Sequence, residues 1–213
     1  MKQKLNLIYK KLYSCFGAQN WWPAESPFEV IIGAILTQNT SWQNVSRAIE
    51  NLKKEKVLTP QGIKKISEKK LAALIRPSGY YNIKSKRLKN FLIFLFKNYN
   101  GSIERMSLGK PKDLRKALLG VNGIGPETAD SILLYALGKP VFVVDAYTKR
   151  ILSRHKIIEE NAPYHQVQDL LMNNLHCEKK LFNEFHALLV RLAKEYCLKS
   201  KRRCNECPLK GLN

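Results

Sequence analysis

Apolar residues recur three and four positions apart along almost the whole chain, and strict apolar–polar alternation is nearly absent. Spacing of three and four collects side chains on one face of a helix, whereas alternation is what a half-buried strand requires, so the pattern predicts an all-α fold. Phe28, Ile31, Ile32, Ile35 and Leu36 mark one such face; Val45, Ile49 and Leu52 mark a second, and Leu88, Phe91, Leu92 and Leu95 a third. Leu181, Phe185, Leu188, Leu189 and Leu192 form another near the C-terminus, after a helix around Val167 to Leu171. Roughly ten helices are expected, with no repeat of solenoid length and no low-complexity stretch.

Cap chemistry marks several helix starts. Ser26 can cap a helix with Pro27 at its first position and Glu29 three residues on, the capping-box arrangement. Thr59-Pro60 and Ser67 are further starts, and "RPSGYYN" interrupts the pattern at Pro77 and Gly79. A helix opening near Ser41 leaves "TQNT", Thr37 to Thr40, at a turn where polar side chains face solvent or a ligand. After Gly138 and Pro140, the apolar run Val141 to Val144 leads to Asp145, which opens "AYTKRILSRH".

Charge narrows the partner. Lysine and arginine number 37 against 17 acidic residues, a formal net charge of +20 over 213 residues. Such an excess points to a polyanion, nucleic acid first. A heat-adapted surface is the bland alternative, but it adds Glu alongside Lys, and here Glu lags. No apolar run is long enough to cross a bilayer, and "MKQKLNLIYKKLYSC" lacks the core of a signal peptide, so an intracellular, cytoplasmic and nucleoid-associated protein without a membrane partner is expected. Five cysteines, three of them crowded near the C-terminus, suit a metal or cluster site better than a disulfide framework.

Between two apolar helical stretches lies "GVNGIGPETA". Gly120, Gly123 and Gly125 permit close backbone approach, Pro126 suits the first position of the next helix, and amides around Gly123 to Gly125 can converge on a phosphate. Ordinary turn chemistry explains isolated glycines equally well.

The order helix, "VNGIG", helix, then the aspartate of "VVDAYTKR" closely resembles the helix-hairpin-helix (HhH-GPD) DNA glycosylase superfamily, of which endonuclease III is the founding type. "PFEVIIGAILTQNT", "GYYNIKSKRL" and the cysteine tail extend the likeness from about Ser26 to Cys207. The resemblance implies a six-helix barrel over residues 26–138 carrying the hairpin, and a second helical domain from 1–25 and 139–213 ending in a cysteine-rich loop. It also implies a DNA-binding cleft between them, double-stranded DNA containing a damaged base as partner, and a monomer.

By that resemblance Asp145 is the catalytic aspartate: breaking an N-glycosidic bond builds positive charge on the sugar, which a carboxylate stabilises while it orients or deprotonates water. An ordinary N-cap is the competing role. In endonuclease III the position of Glu127 is a lysine whose amine attacks the sugar, and a carboxylate cannot form that imine. A monofunctional glycosylase with doubtful lyase activity is therefore expected, although Lys139 or Lys149 could substitute, and Glu127 also suits a plain first helical turn.

Trp21, Trp22 and Trp42 lie within one short stretch of sequence. Together with "RPSGYYN" and Glu127 they resemble the 3-methyladenine DNA glycosylase branch, in which indoles would stack on an electron-poor, alkylated purine. Core packing is their commoner use. Gln38 matches the glutamine that fills the gap left by an extruded nucleotide. Lys84, Lys86 and Arg87 would bind phosphates, or make an ordinary solvated face.

Cys197, Cys204 and Cys207 keep a C-x6-C-x2-C spacing that resembles the family's [4Fe-4S] loop, but the fourth position is Asn213. Three thiolates can hold an incomplete cluster, recruit Cys15 or the terminal carboxylate, bind zinc, or stand empty. Cys15 and Cys177 otherwise read as small buried residues. The four histidines show no ligand spacing, and no chemistry falls to them. The readings in competition are a monofunctional glycosylase for alkylated purines, a bifunctional glycosylase and lyase acting on oxidised pyrimidines or mismatches, and a non-enzymatic helix-hairpin-helix DNA-binding module.

Overall fold

The structure, a computed structural model, describes residues 1–212 and is all-α, with twelve α-helices among the described residues. The short helices α4 (Pro60–Lys65) and α5 (Glu68–Leu74) follow the expected starts at Thr59 and Ser67, whereas α7 (Ile103–Ser107) is too short to display a helical period and is not among those expected. Among the described residues the single non-helical pairing noted is an isolated antiparallel bridge between Cys197 and Arg202. No described helix is long and apolar enough to cross a membrane.

The chain divides into two compact units, Ala24–Lys139 and Met1–Pro23 with Pro140–Asn213. In the first, α2 (Pro27–Leu36) is buried from Phe28 to Leu36 without a polar face. A helix apolar all round belongs at the centre of its unit. It packs on α3 (Trp42–Lys54), α6 (Tyr81–Tyr99) and α9 (Pro126–Ser131), which continues as a π-helical turn over Ile132–Ala136. The start of α2 follows its cap signal: the Glu29 amide donates to Ser26 Oγ at 3.2 Å. The carboxylate of Glu29 takes the Glu25 amide at 3.1 Å, one residue earlier than a strict capping box, while Lys53 bridges Glu25 and Glu29 at 2.8 and 3.0 Å. Thr59 and Ser67 cap α4 and α5 in the same way, accepting from Gly62 and Lys70 at 2.9 and 3.1 Å. These caps close early turns locally, which is why spacing alone reveals them.

The second unit is built on α12 (Lys179–Glu195), which packs on α1 (Lys2–Phe16) and α10 (Ala146–Arg154); α11 (Tyr164–Asn174) also meets α1. Its core joins Leu5, Ile8 and Leu12 to Phe182, Phe185, Leu188, Leu189 and Leu192, all fully buried. Phe142 meets Phe182 and Phe185 edge-on, with ring centroids 5.4 and 5.9 Å apart. Cys15 and Cys177, expected inside, are exposed: Cys15 continues the spacing of Leu5, Ile8 and Leu12 but falls in the last turn of α1, one residue before its end.

Candidate nucleic-acid and catalytic site

In the first unit the hairpin consists of α8 (Pro111–Leu119), the turn through Gly120 to Gly125, and α9. Gly123 has φ of +94°, and a Cβ there would stand 2.2 Å from Arg87 Cγ, so both backbone and neighbour demand glycine. Arg87, on α6, donates to Gln38 Oε1. Gln38 Nε2 in turn donates to Gly123 O at 3.0 Å and to Thr128 Oγ1 at 2.9 Å. The Thr37–Thr40 turn, α6 and the hairpin are thus joined by one side chain. Across the hairpin Arg115 grips Asp130 with two bonds, Nε to Oδ1 at 2.7 Å and Nη2 to Oδ2 at 3.0 Å.

Glu127 is exposed on the first turn of α9, and Gly125 precedes it in extended conformation as the N-cap. Lys86 is exposed and Arg87 half-buried. Lys84 must be reassigned: it is 1% exposed, and its Nζ donates to Leu36 O and Ser78 O at 2.8 and 2.7 Å. Burial first, then the nearby Arg87 charge, push its amine down to about 8. A neutral amine still offers two N–H groups, enough for both carbonyls. Lys84 therefore ties α6 to the end of α2 and is not placed to meet a phosphate.

In the second unit the extended segment Val141 to Val144 is buried and held by α11. Gln168 Nε2 donates to Phe142 O at 2.7 Å, and the Val144 amide donates to Tyr164 Oη at 3.3 Å. This clamp delivers Asp145 to the start of α10, where its Oδ1 accepts from the Thr148 amide at 2.7 Å. The N-cap role is real, and the catalytic one is compatible with it, because Oδ2 remains to act. That oxygen lies 3.5 Å from His186 Nε2 of α12, with the two side chains 11% and 9% exposed. Burial pushes the Asp145 carboxyl up, but His186, and then the Thr148 amide and hydroxyl, outweigh it and hold the group below the usual carboxylate range. His186 is the residue that sequence reasoning missed. It carries no ligand spacing, and only packing of α12 on α10 brings it to Asp145.

The tryptophans divide between the units. Trp21 and Trp22 are half-buried with ring centroids 5.1 Å apart, tilted by 46°, and Trp42 opens α3, also half-buried. Such partial exposure leaves aromatic surface accessible.

Cys197, Cys204 and Cys207 line one cavity of about 570 Å3 together with Arg154, Lys156, Arg202 and Lys210. The start of this loop is anchored from α10: Arg150 Nε donates to Cys197 O at 2.8 Å, and Arg154 donates to Leu198 O at 2.8 Å and to Cys197 Sγ at 3.1 Å. Burial, then the neighbouring thiols, push the Cys207 thiol up. A [4Fe-4S] cluster takes four thiolates. Among the described residues no three His, Cys, Asp or Glu side chains stand close enough together to hold a metal ion, and Asn213 lies outside them. The thiols of Cys197, Cys204 and Cys15 all act on Cys207, so four thiols share this region, but they are not drawn together about one point, and no chemistry is assigned through a cluster.

Residues 32–177 match the family described as HhH-GPD superfamily base excision DNA repair protein. A Methanocaldococcus jannaschii protein named as a DNA repair glycosylase is 51% identical over 204 residues, spanning 95% of this chain and 92% of the relative. Endonuclease III of Thermotoga maritima is 28% identical over 87% of this chain and 81% of its own. Among solved structures, Helicobacter pylori 3-methyladenine DNA glycosylase bound to 1,N6-ethenoadenine superposes with a TM-score of 0.77 at 32% identity, covering 90% of this chain and 97% of that one. An endonuclease III–DNA complex reaches 0.85 at 23% identity, over 100% and 94%, which shows a shared fold. The hairpin, the capped aspartate and these matches agree: the chain belongs to the HhH-GPD superfamily of base-excision DNA repair glycosylases.

Proposed function

We propose that the protein is a monofunctional DNA glycosylase that releases an alkylated purine, such as 3-methyladenine, from double-stranded DNA by hydrolysis. The observation that carries this reading is Glu127, exposed on the first turn of α9, where a lysine nucleophile would be needed for lyase chemistry. The 32% identity to the H. pylori 3-methyladenine glycosylase supports the substrate class. Lys149, one candidate substitute, directs its Nζ to Ala162 O at 2.7 Å.

In this reading the flipped base stacks on tryptophan faces, with Trp21, Trp22 and Trp42 as the candidates. An indole attracts a cationic ring more strongly than a neutral one, which favours alkylated purines. The glycosidic C1′–N bond breaks with both electrons passing to the base, and this neutralises a cationic leaving group. Positive charge appears on the sugar, where the ionised Asp145 stabilises it. A water oxygen then bonds to C1′, and Asp145 accepts the proton that the water loses. Gln38, Gly123, Gly125, Lys86 and Arg87 hold the DNA, with phosphate contacts setting position.

Incubation with methylated DNA and with thymine-glycol duplexes tests the proposal, free base being scored apart from strand breaks before and after alkali. Release of methylated purine with breaks only after alkali is the expected result. Breakage without alkali, or a borohydride-trapped enzyme–DNA adduct, would overturn the monofunctional assignment.

A further inference from the structure

The buried imidazole beside the proposed catalytic carboxylate has no part in the steps above. His186 is 7% exposed, and its ring stands edge-on to Phe142 at 6.5 Å and 84°. Phe142 lies three residues before Asp145 on the clamped segment, so the aromatic contact and the Nε2 to Oδ2 approach of 3.5 Å address the same stretch of backbone.

We infer that His186 is a positioning residue for base release: from α12 it holds the Oδ2 side of the Asp145 carboxylate while the Thr148 amide holds Oδ1. The inference rests on the catalytic reading of Asp145. One hydrogen bond from an N-cap fixes one oxygen and leaves the carboxylate plane free to rotate. A second group facing the other oxygen from a different helix sets that plane. A donor there also offsets the desolvation that an 11% exposed carboxylate meets, and keeps charge available where the sugar becomes positive. The ring acts through Asp145 and takes no proton from the substrate.

The competing role is plain core packing against Phe142, and two substitutions separate them. His186→Phe keeps an aromatic ring against Phe142 and removes the donor; His186→Gln loses the ring and keeps an N–H near the same place. Single-turnover base release and duplex affinity are measured for both, on whichever of methylated DNA and thymine-glycol duplex the wild type cleaves. His186→Phe should lose about 10–100-fold in rate, the effect of removing one polar partner from a charged group, with Kd unchanged. His186→Gln should recover most of that rate. His186→Leu serves as a second donor-free variant if the Phe form does not fold. A donor-free variant at the wild-type rate, or equal losses in the Phe and Gln forms, would overturn the inference. Asp145→Asn is run alongside: if it still releases base, the catalytic reading itself fails, whereas an inactive Asp145→Asn beside a fully active His186→Phe removes only the role of His186.

Discussion

The ion pair inside the hairpin should respond asymmetrically to loss of its two partners. Asp130 is fully buried and Arg115 is 30% exposed, yet they are joined by two short bonds. Arg115→Met removes both charge-assisted donors from a carboxylate that cannot turn to water, which costs about 3–5 kcal/mol. Asp130→Asn leaves a guanidinium that can swing toward solvent and costs about 1–3 kcal/mol. Replacing both, as Arg115→Met with Asp130→Leu, should recover much of the larger loss, because an apolar pair of similar volume carries no desolvation cost. Urea unfolding followed by circular dichroism gives each value from the midpoint shift at constant slope. The pair joins α8 to α9, so affinity for undamaged duplex should fall in the same order. An Arg115→Met cost below about 1 kcal/mol, the range of an exposed surface pair, would refute the reasoning. So would a larger loss in Asp130→Asn.

Glu127→Lys should convert the protein toward a lyase, giving a borohydride-trappable adduct that the wild type lacks; no adduct would mean that position 127 does not reach the sugar. Gly123→Ala places a Cβ 2.2 Å from Arg87 Cγ at a positive φ, so duplex affinity by fluorescence anisotropy should drop at least about tenfold. Lys84 titrates near 8 when folded against 10.5 when unfolded. The unfolded chain binds more protons between those values, so this residue makes stability rise with pH across that window. In Lys84→Met that contribution is absent, and parallel wild-type and variant profiles from pH 8 to 10.5 would contradict it. Iron and acid-labile sulfide assays on the purified protein should fall short of four irons per chain, since the C-terminal loop supplies three cysteines and, among the described residues, no four thiols are drawn together about one point; a full four would reveal a further ligand, with Cys15 the first candidate.

The helices and the order of the motifs are legible along the chain before any packing. Helical spacing, the Ser26, Thr59 and Ser67 caps, the Gly123 turn and the Asp145 cap all depend on atoms within four residues of one another, so their geometry is legible from spacing. Tertiary structure decided which polar side chains meet. Lys84 sits among basic residues that look solvated, yet it donates to a carbonyl 48 positions away, because the helix face that turns inward there includes it. Gln38 reaches Gly123 across 85 positions, and His186 reaches Asp145 from another helix. No periodicity encodes such contacts: they exist only once apolar faces have packed and fixed how each helix is rotated about its own axis. The chemistry of the site is therefore written in residue types along the chain, while the partners that aim and charge those residues come from packing.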